Sequence, residues 1–165
     1  MRDIDGVIVA VESAESDDAS NSPERVHYHG TRYILAAKPT KIVLVTQIYI
    51  TRPDRYPEMS NIIYWRLQAE EAVRASGLPY TIIRPGWLTS NPGTRLGVRL
   101  EQGDTGDGKV AREDVALVCV QALHCETARS KTFEIYNEPG TPPASWSNVF
   151  AALHADPILT SQEHS

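Results

Sequence analysis

The stretch from Tyr64 to Gly86, YWRLQAEEAVRASGLPYTIIRPG, contains a helix–turn–strand unit. Apolar side chains recur at helical spacing until Gly77 and Pro79, residues that typically end a helix. Residues 80–84 are then mostly aromatic or β-branched, which favours a strand. Arg84-Pro85-Gly86 breaks that strand. The unit therefore predicts a loop at the carboxyl end of a strand, where open α/β sheets bind their ligands.

Predicted strands and helices alternate on both sides of this unit. Short continuous apolar runs predict buried strands at 6–11, 41–45, 80–84 and 132–136. Helical spacing predicts helices over 23–37, 61–76, 112–124 and 147–153. The glycine-rich stretch 86–108 is expected to be mostly loop, with a candidate strand at 98–100. This alternation predicts an α/β fold with a mostly parallel sheet, flanking helices and right-handed crossovers.

Each of the three long helices has an expected buried face. On the helix at 61–76 the apolar stripe consists of Ile62, Trp65, Ala69, Ala72 and Val73. On the first helix, which Ser22 is expected to cap, it consists of Val26, Gly30, Tyr33, Ile34 and Ala37. On the helix at 112–124 it consists of Val115, Val118, Cys119 and Ala122. The surface of the helix at 61–76 is then expected to carry two i,i+4 ion pairs, Arg66–Glu70 and Glu70–Arg74.

The composition indicates one globular domain. The chain has 165 residues, of which 41% are hydrophobic and 22% are charged, and this suits a domain with an ordinary core. We expect residues 1–155 to form this domain and residues 156–165 to form a polar tail. Cys119 and Cys125 are expected to be unpaired thiols, since neither lies in a nucleophile motif.

Charge and hydropathy argue against several classes of partner. The net charge is −5 and no run of Lys and Arg occurs, so nucleic acid is not an expected partner. The longest apolar runs, Val7–Val11 and Ile42–Val45, are far shorter than the ~20 residues that a membrane helix needs. The start, MRDIDG, does not resemble a signal peptide, so we expect a cytoplasmic protein.

Two further patterns are poor matches to known sites. Residues 103–109, GDTGDGK, have the spacing of a phosphate-binding P-loop, but Val110 replaces the hydroxyl residue that binds magnesium. Asp104 and Asp107 would also repel phosphates there. The histidines do not form a complete set of metal ligands by spacing, so no metal site is predicted.

Six segments together resemble a known family. They are DGVIVAVES (5–13), SPERVHYHGTRYILAA (22–37), KIVLVTQIYITRP (41–53), YWRLQAEEAVRASGLPYTIIRPGWL (64–88), REDVALVCVQAL (112–123) and KTFEIYNEPG (131–140). They are similar to the second half of a short-chain dehydrogenase/reductase, most of all to its atypical, NmrA-like NAD(P)-binding branch. The resemblance implies a partial doubly wound Rossmann-type fold, NAD(P) as the cofactor, and oxidoreductase chemistry on a small organic substrate.

The first half of the family pattern is not found in this sequence. Family members begin with a strand and a G-x-x-G-x-x-G turn, whose amides bind the dinucleotide pyrophosphate. Only four residues precede Asp5, so roughly 60 residues, at about 30 per βα step, are expected to be missing. This predicts an exposed sheet edge and weak or absent dinucleotide binding.

Two alternatives follow from the same observation. The chain could be a non-enzymatic scaffold protein that pairs with a partner, or with itself as a homo-oligomer, through the exposed edge. It could also be a gene fragment of a full-length reductase, which the DNA upstream of Met1 would show.

The resemblance implies a set of cofactor-facing residues. They are Val11, Glu12, Thr46, Arg66, Pro85, Gly86, Trp87 and Leu88. In the family, the loop that corresponds to Arg84-Pro85-Gly86 passes the nicotinamide. The amides of Trp87 and Leu88 would then bind the carboxamide of that ring.

Three charged or titratable positions leave alternatives open. Arg66 could bind a ribose or a phosphate, or it could pair with Glu70 on the helix surface. Glu12 and the acidic stretch 15–18 would repel phosphates, which favours a solvated loop. His27, where the family often has Asn or Asp, could titrate near neutral pH.

The catalytic residues of the family are changed in this chain. Redox-active members use a hydroxyl side chain after the second strand, and a Tyr and a Lys four residues apart on the next helix. Here these positions hold Gln47, Ile62 and Arg66, with Thr46 beside Gln47. Ile62 cannot exchange a proton, and Tyr64 lies about 200° around the helix from Arg66. We therefore expect no Tyr-dependent hydride transfer, and the catalytic residues stay undetermined.

Overall fold

Seven strands and four α-helices form the part of the chain that the structure describes, residues 5–15, 20–93 and 96–157. In this computed structural model the strands are β1 (Val7–Val9), β2 (Ile42–Val45), β3 (Tyr80–Pro85), β4 (Trp87–Thr89), β5 (Gly97–Glu101), β6 (Lys109–Ala111) and β7 (Lys131–Glu138). The α-helices are α1 (Gly30–Ala36), α2 (Ser60–Ala75), α3 (Arg112–His124) and α4 (Trp146–Ala151). A π-helical segment (Glu24–His29) leads into α1, and 3₁₀ turns lie at Pro53–Arg55, Pro57–Met59 and Glu126–Ala128.

Five of the strands form one sheet in the order β1-β2-β3-β7-β5. β1, β2, β3 and β7 run parallel, and β5 pairs antiparallel with β7. The predicted α/β fold with a mostly parallel sheet and flanking helices is therefore confirmed. Because the strands are parallel, the carboxyl ends of β1, β2 and β3 meet at the same edge of the sheet.

The sheet is apolar on both faces because helices cover both sides. Along β2, Ile42 and Leu44 belong to the cluster that includes Val73 of α2. The residue between them, Val43, belongs to the opposite cluster, which includes Val118 of α3. The period of two in a strand thus divides one continuous apolar run between two cores.

Helix α3 is predicted correctly at both ends and on its buried face. It begins at Arg112 and ends at His124, and Val115, Val118, Cys119 and Ala122 are buried. Ala111 occupies the N-cap position and no side chain caps the helix there. Among the described residues, no helix is long and apolar enough to cross a membrane.

Helix α2 begins and ends close to its predicted limits, but its buried face is wrong in part. Ala69 and Val73 are buried as expected, whereas Ile62, Trp65 and Ala72 are only partly buried. Their neighbours Ile63, Arg66 and Glu70 are buried instead. The helix is therefore rotated about its axis by less than one residue step of about 100° relative to the prediction, since Ala69 and Val73 belong to both faces. Two charged side chains can point inward because partners on other elements neutralise them, as described below.

The first helical region also differs from its predicted face and cap. Its first six residues are π-helical, which changes the number of residues per turn, so an apolar stripe at α-helical spacing no longer stays on one side. His27 and Thr31 are buried, and Tyr33 is 76% exposed. Pro23, not Ser22, is at the cap position, and no side chain makes a capping hydrogen bond.

The glycine-rich stretch 86–108 contains more structure than predicted. β5 covers the expected strand at 98–100, but β4 and β6, which directly follows the stretch, were not predicted. They form a separate two-stranded parallel sheet, in which Trp87 pairs with Lys109. Strands of three residues are too short to show a periodic pattern, so the sequence did not indicate them.

The end of the described chain is anchored to the sheet. Asp156, which the sequence places at the start of the polar tail, accepts hydrogen bonds from Tyr80 Oη at 2.9 Å and from Thr132 Oγ1 at 2.6 Å. The tail residues 158–165 and the acidic residues Asp17 and Asp18 lie outside the described residues.

Candidate functional site

A cavity of about 600 Å³ lies at the carboxyl ends of β1, β2 and β3. All eight residues that were predicted to face a cofactor line it: Val11, Glu12, Thr46, Arg66, Pro85, Gly86, Trp87 and Leu88. Val11 and Glu12 follow β1, Thr46 follows β2, and Pro85 ends β3, so the parallel pairing brings them together. The structure thus places the predicted set in one site, and whether that site binds a cofactor stays a prediction.

Helix α3 supplies a wall of the cavity that the sequence did not indicate. Its residues Val115, Ala116, Cys119 and Val120 line the cavity beside Ile8 and Val45. The apolar period of α3 predicted a buried face but not what that face contacts. Burial raises the pKa of the Cys119 thiol to about 12, so Cys119 is protonated at neutral pH and is a poor nucleophile.

Arg66 is the buried cation of the site. Its Nη2 donates to both carboxylate oxygens of Glu12, at 2.7 and 2.8 Å, and its Nη1 donates to Gln47 Oε1. Arg66 is 7% exposed, whereas the Glu12 side chain is 70% exposed. The guanidinium therefore lies at the base of the cavity with an exposed carboxylate over it. The surface pair with Glu70, one of the two alternatives for Arg66, is replaced by this contact.

His27 lies behind the pair of Arg66 and Glu12. Its Nε2 is 3.7 Å from Glu12 Oε1 and has no hydrogen-bond partner among the described residues. Burial lowers the pKa of His27 to about 4, with a further contribution from the charge of Arg66, while Glu12 opposes the shift. The expectation that His27 titrates near neutral pH is therefore wrong, because desolvation of the cation outweighs the attraction of Glu12.

A second charged group, which we call the buried ion network, links α2 to β3 and β7. It consists of Glu70, Arg84 and Glu134. Arg84 donates to the Glu70 carboxylate through Nε at 3.0 Å and Nη2 at 2.7 Å, and to Glu134 through Nη1 at 3.1 Å. Oγ1 of Thr46, which lines the cavity, donates its proton to Glu70 Oε1 at 2.7 Å. This hydroxyl therefore does not donate to a ligand while the hydrogen bond is formed. The network holds the carboxyl end of β3, where Pro85 and Gly86 begin the cavity wall.

Asp104 connects the buried ion network to the loop after β2. Its amide donates to Glu134 at 3.0 Å. Its carboxylate accepts from Tyr49 N at 2.7 Å, from Thr51 N at 2.9 Å and from Thr51 Oγ1 at 2.8 Å. The sequence suggested only that Asp104 would repel phosphates in a false P-loop. Its structural role was not visible because Tyr49 and Thr51, the partners of its carboxylate, are more than 50 residues away and Glu134 is 30 residues away.

The loop after β3 is held by its neighbours as well as by β3. Trp87 N donates to Gly108 O at 2.9 Å, so one of the two amides predicted to bind a carboxamide is used within the protein. A Cβ on Gly86 would overlap the Gly108 carbonyl oxygen and lie 2.8 Å from Tyr136 Cδ1. Gly86 therefore permits close contact between two loops.

Among the possible proton donors, Tyr49 and Tyr56 line the cavity, whereas Tyr64 is 52% exposed on α2 and is not part of the lining. Sequence reasoning did not consider Tyr49 or Tyr56, since neither lies at a family position. Within the described residues, no group of three or more His, Cys, Asp or Glu side chains could hold a metal ion.

Comparison with known protein families decides the assignment. A family model described as NAD(P)H-binding matches residues 1–126. The chain belongs to the NAD(P)H-binding family. The predicted relationship to NAD(P)-binding Rossmann-type reductases is therefore confirmed, and the domain is NAD(P)-binding and reductase-like at the level of the family.

Individual relatives agree with this family assignment. An uncharacterized chloroplastic protein of Arabidopsis thaliana is 37% identical over 145 residues, which cover 79% of this chain and 45% of the relative. Sanguinarine reductase of Eschscholzia californica is 35% identical over 133 residues, which cover 74% of this chain and 49% of the reductase. The chain thus spans about half the length of these two relatives.

Solved structures show the same fold at low identity. A Bacillus halodurans protein, named as a candidate NAD-dependent epimerase/dehydratase, has a TM-score of 0.76 at 22% identity, over 91% of this chain and 70% of its own. A short-chain dehydrogenase/reductase of Veillonella parvula in complex with NADP has a TM-score of 0.59 at 20% identity, over 86% and 67%. At these identities the similarity establishes the fold.

Proposed function

We propose that this chain forms the nicotinamide side and the substrate side of an NAD(P)-dependent reductase site. The observation that carries the proposal is the convergence of three parallel strand ends on one largely apolar cavity with the buried guanidinium of Arg66 at its base. In doubly wound folds this edge of the sheet is the ligand-binding edge. Membership in the NAD(P)H-binding family names the ligand class.

The residues present fit the nicotinamide end of the cofactor. Val11, Pro85 and Leu88 form apolar walls suited to a flat ring, and Arg66 can bind a ribose hydroxyl or a phosphate oxygen once Glu12 is displaced. When bound, NAD(P)H supplies a hydride to an electrophilic carbon of the substrate.

We further propose that these 165 residues bind the dinucleotide weakly and do not use the Tyr-dependent proton transfer of the wider family. The sequence contains no G-x-x-G-x-x-G turn to bind the pyrophosphate, and Ile62 occupies the Tyr position. In addition, Glu12 competes with any anion for Arg66.

A titration of NADPH followed by its fluorescence tests this proposal. We expect saturable binding by the 165-residue chain with a Kd above roughly 0.1 mM, equivalent to about −5 kcal/mol. Arg66→Leu should abolish this binding, whereas Arg25→Leu, which removes an exposed guanidinium that does not line the cavity, should not. Micromolar NADPH binding would contradict the proposed weak affinity. NADPH binding that Arg66→Leu leaves unchanged would contradict the proposed location of the site.

The edge strand β1 supports a second candidate function. Among the described residues, β1 is the edge strand of the five-stranded sheet and pairs only with β2. An edge strand can pair with another chain through its backbone groups, and a second copy of this chain is the simplest partner. Light scattering after size exclusion tests this proposal: a monomer at all concentrations would contradict it.

The compartment is also part of the proposal. The sequence favours the cytoplasm, while the names of several relatives, including the Arabidopsis thaliana protein, describe them as chloroplastic. Imaging of the native gene product with a carboxyl-terminal fluorescent tag would distinguish the two compartments.

A further inference from the structure

Three aromatic rings line the cavity next to the loop after β3. We call Tyr49, Tyr56 and Trp87 the ring cluster. The ring centroids of Tyr49 and Tyr56 are 4.8 Å apart, those of Tyr56 and Trp87 are 5.2 Å apart, and those of Tyr49 and Trp87 are 6.2 Å apart. These distances lie within the range of about 4.5–7 Å that favours aromatic pairs.

Polar contacts restrain two rings of the cluster, those of Trp87 and Tyr49. The Trp87 indole Nε1 donates to Asp107 at 3.0 Å, which restrains the rotation of the ring. The guanidinium of Arg52 lies 4.4 Å from the centroid of Tyr49. Two of the three rings are therefore restrained before any ligand arrives, which lowers the entropy that binding would lose.

The backbone of Tyr49 is in a conformation that side chains rarely adopt. Its φ is 64°, in the left-handed region, and the buried carboxylate of Asp104 holds it there through Tyr49 N at 2.7 Å. The φ of Asp104 itself is 52°. Strained backbone of this kind persists only where the surroundings over-determine it, and it concentrates at binding sites.

The ring cluster is not closed off by other side chains. Tyr49 is buried at 7% exposure, while Trp87 is 38% exposed and its neighbour Leu88 is 48% exposed. An aromatic group that served only the core would be covered, because exposed apolar surface is unfavourable in water. Here the rings form a floor and a rim that face the open cavity.

We propose that the ring cluster is a stacking subsite for the flat, conjugated part of the substrate. The inference rests on the proposed function, since Trp87 directly follows Pro85 and Gly86, which we assign to nicotinamide binding. The planes of the Tyr56 and Trp87 rings are inclined by 70°, so a planar substrate that stacks on the face of Trp87 meets Tyr56 in an edge contact. A saturated substrate of equal size cannot make the same face and edge contacts with the rings.

Calorimetric titration with two ketones of equal carbon number tests the subsite. 9-Fluorenone is flat and aromatic, and dicyclohexyl ketone is saturated and puckered. We expect the wild-type chain to bind 9-fluorenone at least about tenfold more tightly than dicyclohexyl ketone. Trp87→Leu and Tyr56→Leu should each weaken 9-fluorenone about fivefold to tenfold, and should leave the saturated ketone unchanged within about twofold.

Two further variants separate stacking from general damage to the fold. Trp87→Phe keeps an aromatic face and should bind 9-fluorenone within about twofold of the wild type. Tyr64→Leu removes an exposed aromatic side chain from α2, away from the cavity, and should have no effect. Equal binding of the two ketones, or an equal loss in Tyr64→Leu, would overturn the inference.

The outcome is separable from that of the proposed function, because the ketone titrations contain no NADPH. Ring-dependent binding of 9-fluorenone supports the subsite even if NADPH does not bind, and that second result would overturn only the reductase proposal. The expected weak NADPH binding, together with 9-fluorenone binding that is unchanged in Trp87→Leu and Tyr56→Leu, would overturn only the subsite.

Discussion

The two charged groups beside the cavity, the buried ion network and the pair of Arg66 and Glu12, differ in their access to water. The carboxylates of Glu70 and Glu134 are completely buried, and Arg84 and other donors bind both of them. The Glu12 carboxylate is 70% exposed, and its partner Arg66 has an unpaired Nε among the described contacts.

This difference separates a structural role from an exchangeable one. Removal of one partner from a dry ion pair leaves a buried charge uncompensated, which is strongly unfavourable. Removal of an exposed carboxylate leaves its partner open to water or to a ligand anion. We therefore infer that the buried ion network positions the cavity wall. Glu12, in contrast, pairs with the Arg66 guanidinium only until a ligand anion replaces it.

The largest expected effect is on the buried ion network. Glu70→Gln removes the charge that Arg84, Arg74 and Thr46 all contact, and should lower the free energy of unfolding by about 4 kcal/mol. Glu71→Gln is the matched control, since Glu71 is the next residue, is 53% exposed and pairs with Arg74 across one helical turn. Its effect should stay within about 0.5 kcal/mol in urea titrations. Equal losses in the two variants would show that the network has no special role.

The next effect is on the carboxylate that joins the network to the loop after β2. Asp104→Asn turns one acceptor oxygen into a donor facing Tyr49 N or the Thr51 groups, and should cost about 3 kcal/mol of unfolding free energy. Asp107→Asn, three residues further on, is exposed and keeps an acceptor for Trp87, so it should cost less than about 0.5 kcal/mol. A negligible loss in Asp104→Asn would mean that the left-handed Tyr49 needs no support.

The free energy of unfolding is expected to depend on pH through His27, which lies behind the pair of Arg66 and Glu12. His27 has a pKa of about 4 in the folded protein against 6.5 as a free side chain, so the unfolded state binds more protons between these values. The free energy of unfolding should therefore fall as the pH falls through this window, by about 2 kcal/mol between pH 7 and pH 5.

The measurement is the difference between the wild type and His27→Gln over this pH range. Carboxylates that titrate at lower pH contribute to both proteins and cancel in the difference. A difference that does not change between pH 7 and pH 5 would show that His27 is not held neutral by burial.

The smallest effect is expected at the exposed partner of Arg66. Glu12→Gln should change the free energy of unfolding by less than about 1 kcal/mol, because the carboxylate is exposed. The same variant should strengthen NADPH binding about threefold, since it removes a competitor for the guanidinium. Glu15→Gln removes an equal charge from an exposed residue nearby and should leave NADPH binding unchanged. Equal gains in both variants would indicate only a change in net charge.

The sequence predicted the elements whose apolar pattern is local. The limits and buried face of α3, the four parallel strands and the α/β class all follow from periodicity within single segments. The family resemblance then predicted eight cavity residues, because parallel pairing brings loops that follow neighbouring strands together.

The parts that were not predicted depend on distant partners. The inward rotation of Arg66 and Glu70 requires Glu12, Gln47 and Arg84, which come from other elements. β4 and β6 stabilise each other across a loop, and neither has a pattern of its own. His27 has an ordinary pKa until tertiary packing removes water from it.

The amino-acid sequence by itself determined the alternation of strands and helices and the edge of the sheet at which a ligand would bind, because both depend on hydrophobic period and chain direction. Only the tertiary structure decided which charges are buried and which rings meet. Asp104 holds Tyr49 from 55 residues away, and Trp87, at the start of β4, contacts the Tyr56 ring between two 3₁₀ turns. A one-dimensional pattern does not contain these contacts, since burial and electrostatic pairing arise only when separate segments pack together.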